Sequence, residues 1–461
     1  MGSLSSSDNK LKVLIVGSGL AGLTAARVLR EHHAVTVYER GDAAVATGGQ
    51  GIVIGCNGTK ILNTLGYDGA RVGAVPLHRF SVFDCRNQKT EETDMQLRAR
   101  YGVDAFGQKR SDFRDELMRL ATAPSVELGI KGEPAQMMYN TAVVGLDPEE
   151  GVVTLSDGST AAGDVVIVAD GVHSRLRPAI VGAGCPQAKK TGLSVYRVAV
   201  SLDEANRALS DGGLPPPPWW QPAAHRNAQI FLNGPEGSRR FVTLYPLRNH
   251  AYFNMSCILA TQTSSKSTTE SWNADGDRGK MLEYFGWDEG LKRILGAAAE
   301  VKTWELQDLE TLPTWTRGRA MLIGDAAHAM TPLQGQGANM SIEDAEGLRL
   351  LIAGDAPGEE TTVRREDVPA ILRRIESVRR PRTASAVART RVTHASLSIS
   401  EGFRKNNEFF MSYNGITLRW RIGRLARRRS NRKLDGNNDL SVRVLVMMFL
   451  IVHRIVLAAN I

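Results

Sequence analysis

Val13-Leu14-Ile15-Val16-Gly17-Ser18-Gly19-Leu20-Ala21-Gly22 is an apolar run of strand length that breaks into three glycines spaced Gly-x-Gly-x-x-Gly. The strand pattern starts at Leu11. Helical apolar spacing runs from Leu20 to Arg30, and a second strand follows from Ala34 to Tyr38. The stretch therefore predicts a β-α-β unit over residues 11–39 that holds a dinucleotide. Gly17 allows the tight turn, Gly19 lets the backbone approach a pyrophosphate, and Gly22 lets helix and strand pack closely. The helix N-terminus presents free N–H groups and the positive end of its dipole to the phosphates. Glu39 closes the second strand, where a carboxylate accepts hydrogen bonds from the adenosine ribose hydroxyls. It would repel a 2′-phosphate, so the pattern favours FAD or NAD over NADP at this site.

Two further motifs follow strand-like runs. Asp170-Gly171-Val172-His173-Ser174-Arg175-Leu176-Arg177 comes directly after Asp164–Ala169. Read alone, it could equally be a βα turn with basic residues on its surface. Gly324-Asp325-Ala326-Ala327-His328-Ala329-Met330-Thr331-Pro332 ends the apolar run 319–324 and leads into Gly335-Gln336-Gly337-Ala338-Asn339. An aspartate at a strand end can hold a ribityl hydroxyl, and a glycine-rich loop opening a helix at about 340 can offer N–H groups to a flavin carbonyl. Runs 152–155 and 164–169 read as strands with a turn at Asp157-Gly158 between them. Runs 193–202, 228–233, 240–245 and 251–258 read as a mostly antiparallel sheet. Pro215–Pro218 and Trp219-Trp220 mark a long loop expected to line the substrate pocket. Helical patterns cover 341–353 and 367 to about 400.

Composition sets the bounds. The 461 residues are 42% hydrophobic, enough for two or three packed domains at about 150 residues each. Cys56, Cys85, Cys185 and Cys257 lie far apart, which argues against a disulfide framework or structural zinc and suits a reducing compartment. No metal site is expected. Met1–Lys10 lacks an apolar core of signal-peptide length, so an intracellular protein is expected. The net charge of +8 is accounted for by the eight basic residues between Arg419 and Lys433, a stretch without acids. The rest is neutral, which gives no support to a nucleic-acid partner. Val444–Val452 is wholly apolar, and the stretch to Ala459 is interrupted by His453-Arg454. It falls short of the roughly 20 residues that span a bilayer. Residues 419–461 are therefore expected either to contact an anionic membrane surface, which would make the protein membrane-associated, or to pack on a cytoplasmic body.

The three motifs, in this order over roughly residues 11–400, resemble the class A flavoprotein monooxygenases of the para-hydroxybenzoate and salicylate hydroxylase type, and most of all the fungal enzymes of secondary metabolism. The resemblance implies an α/β fold: a discontinuous Rossmann-like FAD-binding domain (11–185 and 301–350), an inserted β-rich substrate domain (186–300), long helices (351–405) and a tail (406–461). It implies a bound FAD and a transient NADPH or NADH. Glu39 would bind the adenosine ribose, Gly51 would lie in the loop over the flavin edge, and Arg110 would contact FAD. Asp170 and Gly171 would serve FAD and NAD(P)H binding, Asp325 the ribityl chain, and Gly337, Ala338 and Asn339 the ring. The loop Gly48-Gly49-Gln50-Gly51-Ile52 departs from the commoner Gly-Ala-Gly form. Arg197, in Ser194-Val195-Tyr196-Arg197, resembles an arginine that is catalytic in some fungal relatives. Their acid/base tyrosine has no match in 228–233, and Tyr245 reads as a structural residue. His173 and His328 read as structural or flavin-proximal.

The implied reaction reduces FAD with NAD(P)H, adds O₂ to give a C4a-hydroperoxyflavin, and hydroxylates or epoxidises an electron-rich aromatic, polyketide or indole-type molecule. No second Gly-x-Gly-x-x-Gly unit is present, which speaks against a two-dinucleotide enzyme, and no Trp-x-Trp-x-Ile-Pro element points to halogenation. An FAD-dependent oxidase or dehydrogenase is the alternative enzyme, and a non-catalytic flavin-fold membrane scaffold the alternative without chemistry.

Overall fold

The first strand, Lys12–Val16, is buried on both faces from Val13 to Val16, as expected of a central strand covered by helices on either side. A computed structural model describes residues 10–43, 51–260, 274–353, 363–396 and 399–416. The chain divides into units 1–414 and 415–461, and everything below concerns the first. The tail motifs from Arg419 onward and the loop Gly48-Gly49-Gln50 lie outside the described residues.

Lys12–Val16 pairs in parallel with Ala34–Tyr38 on one side and Val165–Val168 on the other. Gln136–Met138 extends the sheet beyond Ala34–Tyr38, and Ala320–Leu322 extends it beyond Val165–Val168, both in parallel. Thr316–Arg317 adds an antiparallel edge, completing six strands. Strand order reverses at Lys12–Val16, so the glycine loop opens at the crevice where such sheets bind ligands. The helix Leu20–Leu29 packs against Gly337–Gly347. That second helix starts at Gly337, three residues before the expected position, so Gly337, Ala338 and Asn339 form its first turn. The Asp157-Gly158 turn joins Val152–Leu155 to Thr160–Ala162, a small antiparallel hairpin. It does not lead to 164–169.

The second large sheet has eight strands. In spatial order they are Ala274–Asp275, Lys302–Asp308, Lys189–Ser201, Tyr252–Ala260, Arg240–Leu247, Ala228–Asn233, Arg79–Phe83 and Lys89–Asp94. All pairs are antiparallel except Ala228–Asn233 with Arg79–Phe83. Two of its strands thus come from before residue 186.

Side chains alternate between the faces of this sheet. One face carries Val198, Val200, Ile230, Val242, Leu244 and Met255 into a core closed by the helices Leu202–Asp211, Arg278–Phe285 and Glu289–Gly296. Trp219 and Trp220 belong to that core, each 1% exposed. The loop expected to line the substrate pocket therefore plugs the opposite side of the sheet. Its Pro218–Trp220 segment is a 3₁₀ turn, and the indole N–H groups donate to Asn87 Oδ1 and Asn206 Oδ1. The other face carries Val195, Phe231, Phe241, Tyr245 and Ile258 toward the dinucleotide-binding half.

The long helix Val368–Ser396 and the helix Ile399–Met411 close the body. Arg379 and Arg382 reach from the first of these into a fully buried acidic pair on Gly337–Gly347. Arg379 pairs with Glu343 (2.5 Å) and Asp344 (3.0 Å), and Arg382 with Glu343 (2.6 Å). Burial alone would raise both carboxyls. Arg379 and Arg382 around Glu343, and His328 and Arg379 around Asp344, hold them below the usual range. Among the described residues, no helix is long and apolar enough to cross a membrane, and no group of three His, Cys, Asp or Glu residues could hold a metal ion.

Candidate active site

The glycine loop is constrained by its backbone. Gly17 has φ +100°, and a Cβ there would lie 2.5 Å from Ala169 O. A Cβ on Gly22 would lie 2.0 Å from Gly17 O. Nothing lies within 4 Å of a Cβ built on Gly19, so the helix N-terminus faces open space there, with room for a phosphate. Gly17→Ala is expected to cost tenfold or more in FAD affinity, from a strain of about 1–3 kcal/mol. Released FAD per purified chain measures it, and a variant still holding one FAD per chain would refute the constraint.

Glu39 Oε2 accepts from Ser18 N (2.9 Å) and Ser18 Oγ (2.7 Å), and Oε1 accepts from Gly41 N (2.8 Å). Burial opposes ionisation, yet these bonds and nearby Arg114 hold the carboxyl below its usual range, ionised at neutral pH. Arg114, which sequence reasoning left without a role, donates to Ser18 Oγ (2.9 Å) and so backs the same turn.

The Asp170 and Asp325 motifs meet through Arg177. This arginine is fully buried, donating to Ala326 O (2.7 Å) and Val172 O (2.8 Å), and is not the surface cation its loop suggested. Asp170 Oδ2 accepts from Arg175 N (3.0 Å), while its buried Oδ1 has no partner. Burial raises the Asp170 carboxyl. His173 is exposed. His328 is buried against Asp344 (2.5 Å) and packs at a tilt against the Trp315 ring. Asp344 also accepts from Gly324 N (3.0 Å), which fixes the turn that presents Asp325.

A cavity of about 370 Å³ lies between the two sheets. Gly19, Gly51, Arg110, Gly171, Asp325, Gly337, Ala338 and Arg197 all line it. Gly17, Gly22 and Glu39 stand at the loop beside it. Asn339 lies beneath, fully buried, its amide donating to Gly335 O (2.8 Å) and its Oδ1 accepting from Gly55 N (2.9 Å). Apolar Leu77, Leu97, Phe231, Phe241 and Leu333 complete the walls.

Arg197 projects from Lys189–Ser201 and donates to Gly51 O. Its guanidinium lies 5.5 Å over the Trp304 ring. Burial pushes Arg110 down to about 10, and Arg197 adds to this while Asp325 opposes it. Arg110 remains a cation at neutral pH. Tyr245 is buried in the same corner and hydrogen-bonds to Arg197. Burial pushes its phenol up to about 12, against the pull of Arg197, so it stays protonated. Tyr245, read from the sequence as a structural residue, lines the cavity beside Arg197. Strand alternation puts Phe241, Thr243 and Tyr245 on one face, and the helices packed behind the sheet decide that this face is the cavity side.

The donor set fits an FAD: a cradle at Gly17 and Gly22 that a side chain would fill, an ionised Glu39, an orphaned buried oxygen on Asp170, and Asp325 on the cavity wall. The sequence profile described as "FAD binding domain" matches residues 10–389. The chain belongs to this family of FAD-dependent monooxygenases. It is 32% identical over 408 residues to a 3-amino-4-hydroxybenzoate 2-monooxygenase of Streptomyces platensis, covering 86% of this chain and 91% of that one. The fold resembles a salicylate hydroxylase in a substrate complex (TM-score 0.65, 22% identity, 95% of this chain and 97% of that one). It also resembles the protein CtdE in complex with FAD and a substrate (TM-score 0.69, 22% identity, 88% and 96%). The monooxygenase is thus an α/β flavoprotein with FAD as its cofactor and two sheets facing each other across the cavity.

Proposed function

We propose that this monooxygenase uses NAD(P)H and O₂ to hydroxylate a small electron-rich aromatic molecule that carries an anionic oxygen. The observation that supports this reading is the pairing of a part-buried arginine, Arg197, with a buried, protonated Tyr245 on the cavity wall beside Gly51. The Streptomyces relative and the salicylate hydroxylase are named for aromatic acids of this kind.

When bound, FAD supplies the electron transfer and the oxygen chemistry. The chain supplies the rest. Glu39, the glycine loop and Asp325 would hold the cofactor, with Asp170 and Arg110 beside it. Arg197 would hold a carboxylate or phenolate, and the Tyr245 O–H would donate to the same oxygen. A phenolate so held keeps its ring electron-rich and fixes which carbon faces the cofactor. The apolar walls exclude water from the reacting atoms. The nicotinamide cofactor would dock and leave, since the chain holds one glycine fingerprint.

The test is NADH and NADPH consumption by the FAD-loaded enzyme against hydroxybenzoates, aminohydroxybenzoates, phenolic polyketides and indoles under ¹⁸O₂. A product heavier by one labelled oxygen is expected with an anionic phenolic compound. Consumption that yields only hydrogen peroxide with every compound would favour the oxidase reading instead.

A further inference from the structure

The cavity face of the substrate sheet carries a polar row running across three strands. Arg197 stands opposite Ser256, and Ser256 opposite Thr243. All three line the cavity. Neighbouring strands lie about 4.8 Å apart, which sets the Arg197 and Thr243 backbones roughly 10 Å apart.

Two atoms of this row are buried and without a hydrogen-bond partner: Arg197 Nε and Thr243 Oγ1. Ser256 Oγ, between them, accepts from Asn254 Nδ2 (3.2 Å), which leaves its own O–H to donate. Buried polar atoms are paired in nearly all folded proteins, and each unpaired one costs free energy. The two side chains that carry these orphans line the same cavity, where a bound ring with polar substituents is placed to satisfy them. Arg197 and Thr243 stand on either side of the middle strand, so the two can contact different groups of one ring. The adjoining row on one side, Val195, Ile258 and Phe241, is apolar, while the row on the other side carries Asn254 and Tyr245. The face therefore specifies where polar groups sit on a ring as well as how many there are.

We propose that Thr243, with Ser256, forms a second polar subsite that selects rings bearing a neutral hydroxyl or amino substituent in addition to the anionic group at Arg197. This rests on the reading of the cavity as the site for an anionic aromatic substrate. It deepens that reading by naming the residue that reads the second substituent.

The experiment measures dissociation constants of benzoate, 4-hydroxybenzoate and 3-amino-4-hydroxybenzoate for the FAD-loaded full chain, from the perturbation of flavin absorbance. It compares the wild type with Thr243→Val and Thr243→Ser. The wild type is expected to bind 3-amino-4-hydroxybenzoate about tenfold more tightly than benzoate, the size of one good buried hydrogen bond. Thr243→Val, which keeps the shape and removes the hydroxyl, is expected to bind all three alike. Thr243→Ser is expected to restore the preference. A preference that survives Thr243→Val at full size, or is missing in the wild type, would overturn the subsite while leaving the anionic site standing. Failure of all three acids to perturb the wild-type flavin would overturn the anionic reading and the subsite with it.

Discussion

Arg197→Ala is expected to lower kcat/KM for an anionic aromatic substrate by about 10²–10³-fold, the usual cost of removing one preorganised donor from a reacting oxygen. The loss follows from where the guanidinium sits. It donates to Gly51 O, lies over Trp304, hydrogen-bonds to Tyr245 and keeps a buried Nε unpaired. Without it, a bound carboxylate or phenolate loses the cation beside it, and burial of an unpaired anion is costly. Arg197→Lys keeps the charge but not the planar fork, so it is expected to recover only part of the rate. Steady-state kinetics on protein checked for one FAD per chain measures this. Unchanged kcat/KM in a fully loaded alanine variant would remove Arg197 from the site.

Arg379→Met should have the largest effect on stability. It leaves Glu343 and Asp344, both fully buried, without their shared cation. Breaking one side of a buried ion pair destabilises by about 3–5 kcal/mol. Urea or thermal unfolding measures it, and a loss under about 1 kcal/mol would show that Arg382 and His328 suffice to hold the pair. The pH dependence follows from the sign of the shifts. Both carboxyls are depressed in the folded protein, so their contribution is complete above the ordinary carboxylate range near pH 4. It is lost as pH falls through the depressed folded values. Removing Arg379 raises the folded values, so the acid-induced loss of stability should move toward neutral pH.

The glycine loop, Glu39 and the Gly324–Asn339 segment were legible in the sequence because their constraints are local. A positive φ at Gly17 or a carboxylate at a strand end is written within a few residues. The antiparallel runs between 193 and 258 were legible for the same reason. Less legible were features that depend on distant partners. Arg177 finds Ala326 about 150 residues away, and Glu343 finds Arg379 and Arg382 on another helix. Which face of the sheet each residue takes was also hidden. A shift of one residue in phase exchanges the two faces, and only the packed helices show that Trp219 and Trp220 stand behind the sheet while Thr243 and Tyr245 stand before it.

That division of faces has a consequence for substitutions. On Arg240–Leu247, Val242 and Leu244 belong to the helix-backed core, while Phe241, Thr243 and Tyr245 border the cavity. Mutations at alternate positions of one strand therefore meet different surroundings: one set faces the helix-backed core, the other the cavity wall. Changes at Thr243 or Ser256 would alter the cavity wall while leaving the helix-backed core intact, so one architecture can carry different pocket linings.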